Sequence, residues 1–120
     1  MPASSRRVLV VEDDQSIGEL LSIVLVDEGY EVRLASGGRQ ALGLVDAWRP
    51  NLILLDLTMN DMDGWTFRNE QERHGLADIP VLVLTGASDP EEQARALSAP
   101  VLLKPFLLDE LLQNVERLVN

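Results

Sequence analysis

Short apolar runs alternate with helix-period segments five times along this chain, and few architectures satisfy that pattern. "RVLVV" at 7–11, "ILLD" at 53–56, "VLVLT" at 81–85 and "VLL" at 101–103 are continuous apolar runs rich in branched residues, the signature of strands covered on both faces. "YEVRLA" at 30–35 instead alternates apolar and polar residues, as an edge strand with one wetter side does. Between the runs, Ile17, Leu20, Leu21, Val24 and Leu25 form one apolar helical face, and Ala41, Leu42 and Val45 form another with Trp48. The segment 64–73 reads as a third helix. "SDPEEQARAL" at 88–97 reads as a fourth, with Asp89 as cap, Pro90 at the first helical position and Glu92 three residues after the cap. Leu108, Leu111, Leu112, Val115, Leu118 and Val119 make the stripe of a fifth, whose first turn carries Asp109 and Glu110.

Strands separated by helices require parallel β-α units with right-handed crossovers, hence a doubly wound α/β domain with helices on both faces of one five-stranded sheet. A length of 120 residues suits one such domain. We assign residues 1–6 to a flexible N-terminus and 7–120 to the domain. Ligands of such sheets bind beyond the carboxyl ends of the strands, where strand order reverses.

The residues at those ends carry the chemistry. The first strand is followed by Glu12, Asp13 and Asp14; the third ends in Asp56; the fourth ends in Thr85; the fifth is followed by Lys104 and Pro105. Parallel strands bring all of these to one edge. Carboxylates gathered there repel one another unless a cation neutralises them, and oxygen-only ligands without His or Cys select a hard ion such as Mg²⁺. The Lys104 ammonium and the Thr85 hydroxyl supply a charge and a donor for a further anion, so the edge is suited to a phosphoryl group. A single Asp at a strand end is ordinarily a cap; five such residues at four strand ends are not explained that way. Asp61, Asp63, Gly64 and Glu70 also match positions of a calcium loop, but Met59 stands at its first ligand position and no helix pattern precedes it.

Composition narrows the partners. Twenty acidic against ten basic residues give a net charge of -10, which opposes attraction to nucleic acid or anionic lipid, and "SRR" at 5–7 is the densest basic spot. No cysteine is present, which excludes disulfides and thiol chemistry. Acids follow the first four apolar residues, too soon for a signal peptide, and no apolar run reaches the roughly 20 residues of a membrane span. A cytoplasmic location with no membrane association is therefore expected.

"VLVVEDD", "LLDLTMNDMDG", "VLVLTG" and "LLKPF", in this order and over residues 7–119, resemble the CheY-like receiver domain of bacterial two-component response regulators. The resemblance implies a flavodoxin-like fold with strand order 2-1-3-4-5. It implies a Mg²⁺-dependent switch in which Asp56 accepts a phosphoryl group from a sensor histidine kinase or a histidine phosphotransfer protein. Asp13 and Asp56 would ligate the metal, Glu12 would do so through water, and the Thr58 carbonyl would complete the set; Thr85 and Lys104 would hold phosphoryl oxygens. It further implies a cis Lys104–Pro105 bond, a rearranging surface from about 86 to 118, and a kinase-docking first helix whose outward residues are Ser16, Glu19, Ser22 and Asp27. A downstream output protein or domain, or a homodimer paired through the helices from 88 and 107, would read the switch, Arg95 and Arg117 being the available cations.

Three departures stand out. Asn60 replaces the usual proline of the third loop, Val101 replaces the usual aromatic, and "ARALSAPVLLKP" lacks the usual glycine-alanine turn. Two other functions compete with the switch. A phosphorylation-independent binding or dimerisation module would not need Glu12, Asp13, Asp56, Thr85 and Lys104 together. A Mg²⁺-dependent phosphatase would carry a second Asp where Thr58 stands. Catalysis, if the switch reading holds, is confined to the domain's own phosphorylation and dephosphorylation.

Overall fold

The computed structural model describes residues 6–57, 61–86 and 89–119. Five strands, β1 (Arg7–Val11), β2 (Glu31–Ala35), β3 (Leu52–Asp56), β4 (Val81–Thr85) and β5 (Val101–Leu103), alternate with five helices, α1 (Gln15–Asp27), α2 (Gly38–Ala47), α3 (Gly64–Arg73), α4 (Pro90–Leu97) and α5 (Leu108–Leu118). The sheet is wholly parallel in the order β2-β1-β3-β4-β5, as the alternation of elements and the resemblance imply. All five residues of β3 and of β4 are buried, which explains their unbroken apolar runs. β2 lies at the edge and keeps its alternating pattern. The expected N-terminal extension, apart from Arg6, lies outside the described residues; the Arg6 carbonyl accepts from the Glu31 N–H at 2.9 Å.

The period of two along each strand divides the interior into two cores. Leu9, Val11, Ile53, Leu55, Val81 and Val83 face Ala41, Val45, Phe67 and Leu97 from α2, α3 and α4. Val8, Val10, Leu52, Leu54, Leu82 and Leu84 face Leu21 and Leu25 of α1 and Leu111 and Val115 of α5. Burying each such side chain contributes about 1.5–3 kcal/mol against the entropy of ordering it.

Two helical faces differ from the expected stripes. On α1, Leu21 and Leu25 are buried but Ile17 and Leu20 are exposed, and Gly18 joins the buried face instead. Gly18 sits against Leu34, where a Cβ would lie 2.7 Å from a methyl, so the backbone approaches the sheet there and turns the bulkier neighbours outward. Ser22, expected to face outward, is half-buried and its hydroxyl donates to the Gly18 carbonyl at 2.8 Å. On α5, Leu111, Val115 and the following Val119 are buried while Leu108 is exposed. Among the described residues, no helix is long and apolar enough to cross a membrane.

Candidate functional site

Register determines how the strand ends meet. Asp56 lies opposite Leu84, and Leu103 lies opposite Thr85, so Thr85 and Lys104 stand one step beyond Asp56 on the neighbouring side of the sheet. The Lys104 N–H donates to the Thr85 carbonyl at 2.7 Å, which ties the ends of β4 and β5 together. The Lys104–Pro105 peptide is cis, as the resemblance implies. Asp56 continues the Leu52 and Leu54 row above the α1/α5 core and is only 1% exposed.

A buried carboxylate needs compensation, and Lys104 provides it: its ammonium donates to Asp56 Oδ2. The Lys104 side chain is itself 31% exposed, so the pair opens to solvent on the lysine side, where an incoming anion would arrive. Glu12, 2% exposed, is the second buried acid. Its Oε2 accepts from the Asp14 N–H at 3.1 Å, while its Oε1 is buried without a hydrogen-bond partner. Burial, then the neighbouring Asp56 carboxyl, pushes the Glu12 carboxyl up to about 7, against the opposing pull of the Asp14 N–H. A buried acid that ionises with difficulty beside another acid, with one oxygen unengaged, fits a hard cation between the two. Among the described residues, no three His, Cys, Asp or Glu side chains converge closely enough to hold an ion by themselves. A hard cation here would draw its remaining oxygens from water, main chain or ligand, which suits Mg²⁺ in particular.

The structure thus brings Glu12, Asp56 and Lys104 together and aligns Thr85 beside them. Asp13, half-buried, follows Glu12 and opens onto a cleft lined by Ser36, Gly37, Arg39, Gln40 and Asp61. Thr58 lies outside the described residues. Asp14 is a helix cap, its carboxylate accepting from the Ile17 N–H at 3.1 Å. Two of the three acids of the apparent calcium loop are also caps, and the third, Glu70, pairs with Arg73 on α3. Asp63 accepts from the Thr66 N–H of α3, and Asp61 accepts from the N–H groups of Gly38 and Arg39 on α2.

This last contact was not legible from periodicity. Its one trace in the sequence is a helix beginning with Gly37 and Gly38, which have no side chain to cap it. Arg68 and Gln71 were missed as well. Gln71 is fully buried and donates to the carbonyls of Leu76 and Ile79, both at 2.9 Å; Arg68 donates to Gln71 Oε1 and to the carbonyls of Leu97 and Ser98. Ser98 ends α4 with φ 52°, the left-handed conformation for which the usual glycine is missing. Arg68 holds that turn from α3. Val101 is half-buried and packs against the α2–α4 core.

Comparison with known proteins agrees with this geometry. The sequence pattern of the response regulator receiver domain matches residues 8–116. The response regulator MprA of Mycolicibacterium vanbaalenii is 39% identical over 117 residues, which are 95% of this chain and 50% of that protein. MprA of Mycobacterium bovis is 37% identical over 97% of this chain and 51% of its own length. The chain therefore spans about half the length of these curated relatives. Among solved structures, the chemotaxis protein CheY4 of Vibrio cholerae superposes with a TM-score of 0.85 at 34% identity, covering 96% of this chain and 99% of that one. The response regulator TrrA of Thermotoga maritima, solved in complex with Mg²⁺ and BeF, gives 0.83 at 32% identity over 94% and 98% of the two chains. With its strand order, its buried Asp56–Lys104 pair and a match across nearly its full length, the chain belongs to the family of response regulator receiver domains.

Proposed function

We propose that this domain, over residues 7–120, accepts a phosphoryl group on Asp56 in a Mg²⁺-dependent reaction and signals through the altered surface that results. The observation that carries this reading is the buried Asp56 carboxylate at the end of β3, paired with the half-open Lys104 ammonium and flanked by Glu12. The donor is a phosphohistidine on a sensor kinase or phosphotransfer protein. An Asp56 oxygen attacks phosphorus, a P–O bond forms as the P–N bond breaks, and the imidazole leaves with the electron pair and takes up a proton. The strand fixes the direction of attack, which is why a rigid apolar run ends in a carboxylate.

Glu12, Asp13 and Asp56 would hold Mg²⁺ from the protein side, with Thr58 supplying a main-chain oxygen. When bound, the ion neutralises charge on the transferring phosphoryl group and on the acids around it. Lys104, displaced from the free carboxylate, is positioned to follow the negative charge onto a phosphoryl oxygen, and the Thr85 hydroxyl donates to another. Support also comes from the neighbour solved with Mg²⁺ and BeF. The output partner, or a second copy meeting α4 and α5, would read the change on the 86–118 surface. Val101 makes that readout independent of the usual aromatic ring.

Intact mass after incubation with acetyl phosphate tests the proposal. One phosphoryl group should be gained with Mg²⁺, and none without Mg²⁺ or in Asp56→Asn. Absence of any gain in the wild type would favour a binding module that works without phosphate.

A further inference from the structure

Leu57 follows Asp56 directly, and the period of two turns it to the other side of the sheet, where it continues the row of Ile53 and Leu55 and packs against the α2–α4 core. Its N–H donates to the Leu84 carbonyl at 3.2 Å, so the ladder between β3 and β4 extends to it. Gly64, the buried first residue of α3, lies against its side chain. A Cβ at position 64 would stand 2.5 Å from Leu57 Cδ2 and 3.5 Å from each methyl of Leu97. Space, not a positive φ, requires glycine here. Leu57 and the last residue of α4 thus both reach the bare backbone where α3 begins.

That end of α4 is held under strain. Ser98 takes φ 52°, which is costly for a residue other than glycine, and Arg68 of α3 secures the turn by donating to the Leu97 carbonyl at 2.9 Å and the Ser98 carbonyl at 3.0 Å. The start of α3 therefore meets the end of α4 through an apolar contact at Gly64 and a polar one at Arg68. Trp65, next to Gly64 and 61% exposed, lines a surface groove with Arg68, Leu97 and Ser98.

We propose that Leu57 is a coupling residue: through Gly64 and Leu97 it transmits the state of Asp56 to the Arg68-held end of α4, a route that needs no ring at position 101. This role rests on the phosphoacceptor reading above. A phosphoryl group and a cation at Asp56 displace the end of β3, and the close fit of Leu57 at Gly64 passes that displacement to the α3–α4 contact. The groove beside Trp65 changes with it.

The chain has two tryptophans, so 5-fluorotryptophan gives one fluorine resonance for each, and Trp65→Phe assigns them. With Mg²⁺ and acetyl phosphate the Trp65 resonance of the wild type should move, and intact mass gives the phosphorylated fraction of the same sample. In Leu57→Ala and in Leu97→Ala the displacement per phosphorylated molecule should fall about threefold, within the range by which substitutions between two sites alter their coupling. Leu97→Ala stands on another element from the acids, so it tests the contact even where Leu57→Ala labels poorly. Leu57→Met, which nearly keeps the volume, should retain the displacement. Val45→Ala should retain it too, since it removes buried volume from the same core on a different helix. A full displacement in both Leu57→Ala and Leu97→Ala, or a loss in Val45→Ala as large as theirs, would overturn the coupling role. A wild type that gains the phosphoryl group with the Trp65 resonance unmoved would overturn it as well. A wild type that gains no phosphoryl group would instead remove the functional reading on which the coupling depends.

Discussion

The two faces of the sheet are built by different means. On the α1/α5 face the helices meet the strands through Leu21, Leu25, Leu111 and Val115, and the side-chain hydrogen bonds of Gln15, Ser22, Asn114 and Arg117 stay within their own helices. On the α2–α4 face an apolar core of similar kind is crossed by polar ties between elements. Asp61 joins the third loop to α2, Gln71 joins α3 to the chain that leads into β4, and Arg68 joins α3 to the end of α4. The first construction holds helices against a sheet; the second also fixes helices and loops to one another. The segments that surround Asp56 and lead to the readout surface therefore depend on a few hydrogen-bonded side chains as well as on packing.

The largest effects should not distinguish the faces. Phe67→Ala should cost about 3–5 kcal/mol and Leu111→Ala about 2–5 kcal/mol, because each empties a fully buried site in its own core. Urea unfolding of both variants measures this, and a cost under about 1 kcal/mol at either position would mean that its face does not share the cooperative core. Gln71→Leu distinguishes them. It keeps the volume but leaves the Ile79 carbonyl and one Arg68 donor without partners and takes from the Leu76 carbonyl one of its two donors, the Ile79 N–H remaining, at about 1–3 kcal/mol. Leu25→Met, an apolar swap on the opposite face, should cost less than about 1.5 kcal/mol. If Gln71→Leu proves harmless, the polar ties are incidental and the contrast fails.

That contrast also explains what could be read in advance. The strands, their parallel arrangement and the gathering of Asp56, Thr85 and Lys104 at one edge followed from local apolar periods and from residue types at strand ends, while the strand order came with the resemblance and the direct Asp56–Lys104 pair came from the structure. Polar ties carry no such period: Asp61 and Gly38 are 23 positions apart, and Arg68 and Leu97 are 29. Asp61 reads only as part of an incomplete calcium loop, because its partners are backbone N–H groups, which every residue but proline carries. The α1 stripe was misjudged for a related reason. Ile17, Leu20 and Val24 are apolar at the right spacing, but the close approach at Gly18 determines which side of the helix meets β2.

Acidity at the carboxyl edge provides a smaller test that separates the regions by chemistry. Glu12 in the folded domain holds its proton up to about 7, whereas its ordinary value is 4.5. The folded state therefore binds more protons than the unfolded state between those values, and stability falls as pH rises through that window and levels off above it. Chemical unfolding across this range in a chelator should show the decline, and Glu12→Gln should flatten it. Mg²⁺ should stabilise the domain most above the window, where Glu12 is ionised and able to bind. Gln71→Leu should leave the slope unchanged, because neither Gln71 nor Arg68 titrates there. A slope that survives Glu12→Gln would place the responsible group elsewhere.

The smallest expected change in stability concerns the outer side of the simpler face. Ile17, Leu20, Ile23 and Val26 stand exposed on α1, Ile23 at 66%, and their removal deprives the core of nothing. Ile23→Ser should thus alter unfolding free energy by no more than about 0.5 kcal/mol. A helix that keeps such residues in water while Glu19 and Asp27 lie among them is suited to an apolar partner surface, in line with the docking role that the resemblance gives to this helix. Phosphoryl transfer from a phosphohistidine protein should then slow about fivefold in Ile23→Ser, the loss of about 1 kcal/mol of contact, while labelling by acetyl phosphate proceeds as in the wild type. Equal slowing with both donors would mean that the substitution disturbs the site itself. An unchanged rate with both would leave the apolar side of α1 without a part in recognising the donor, and would make the polar-tied face the place to look for partner contacts.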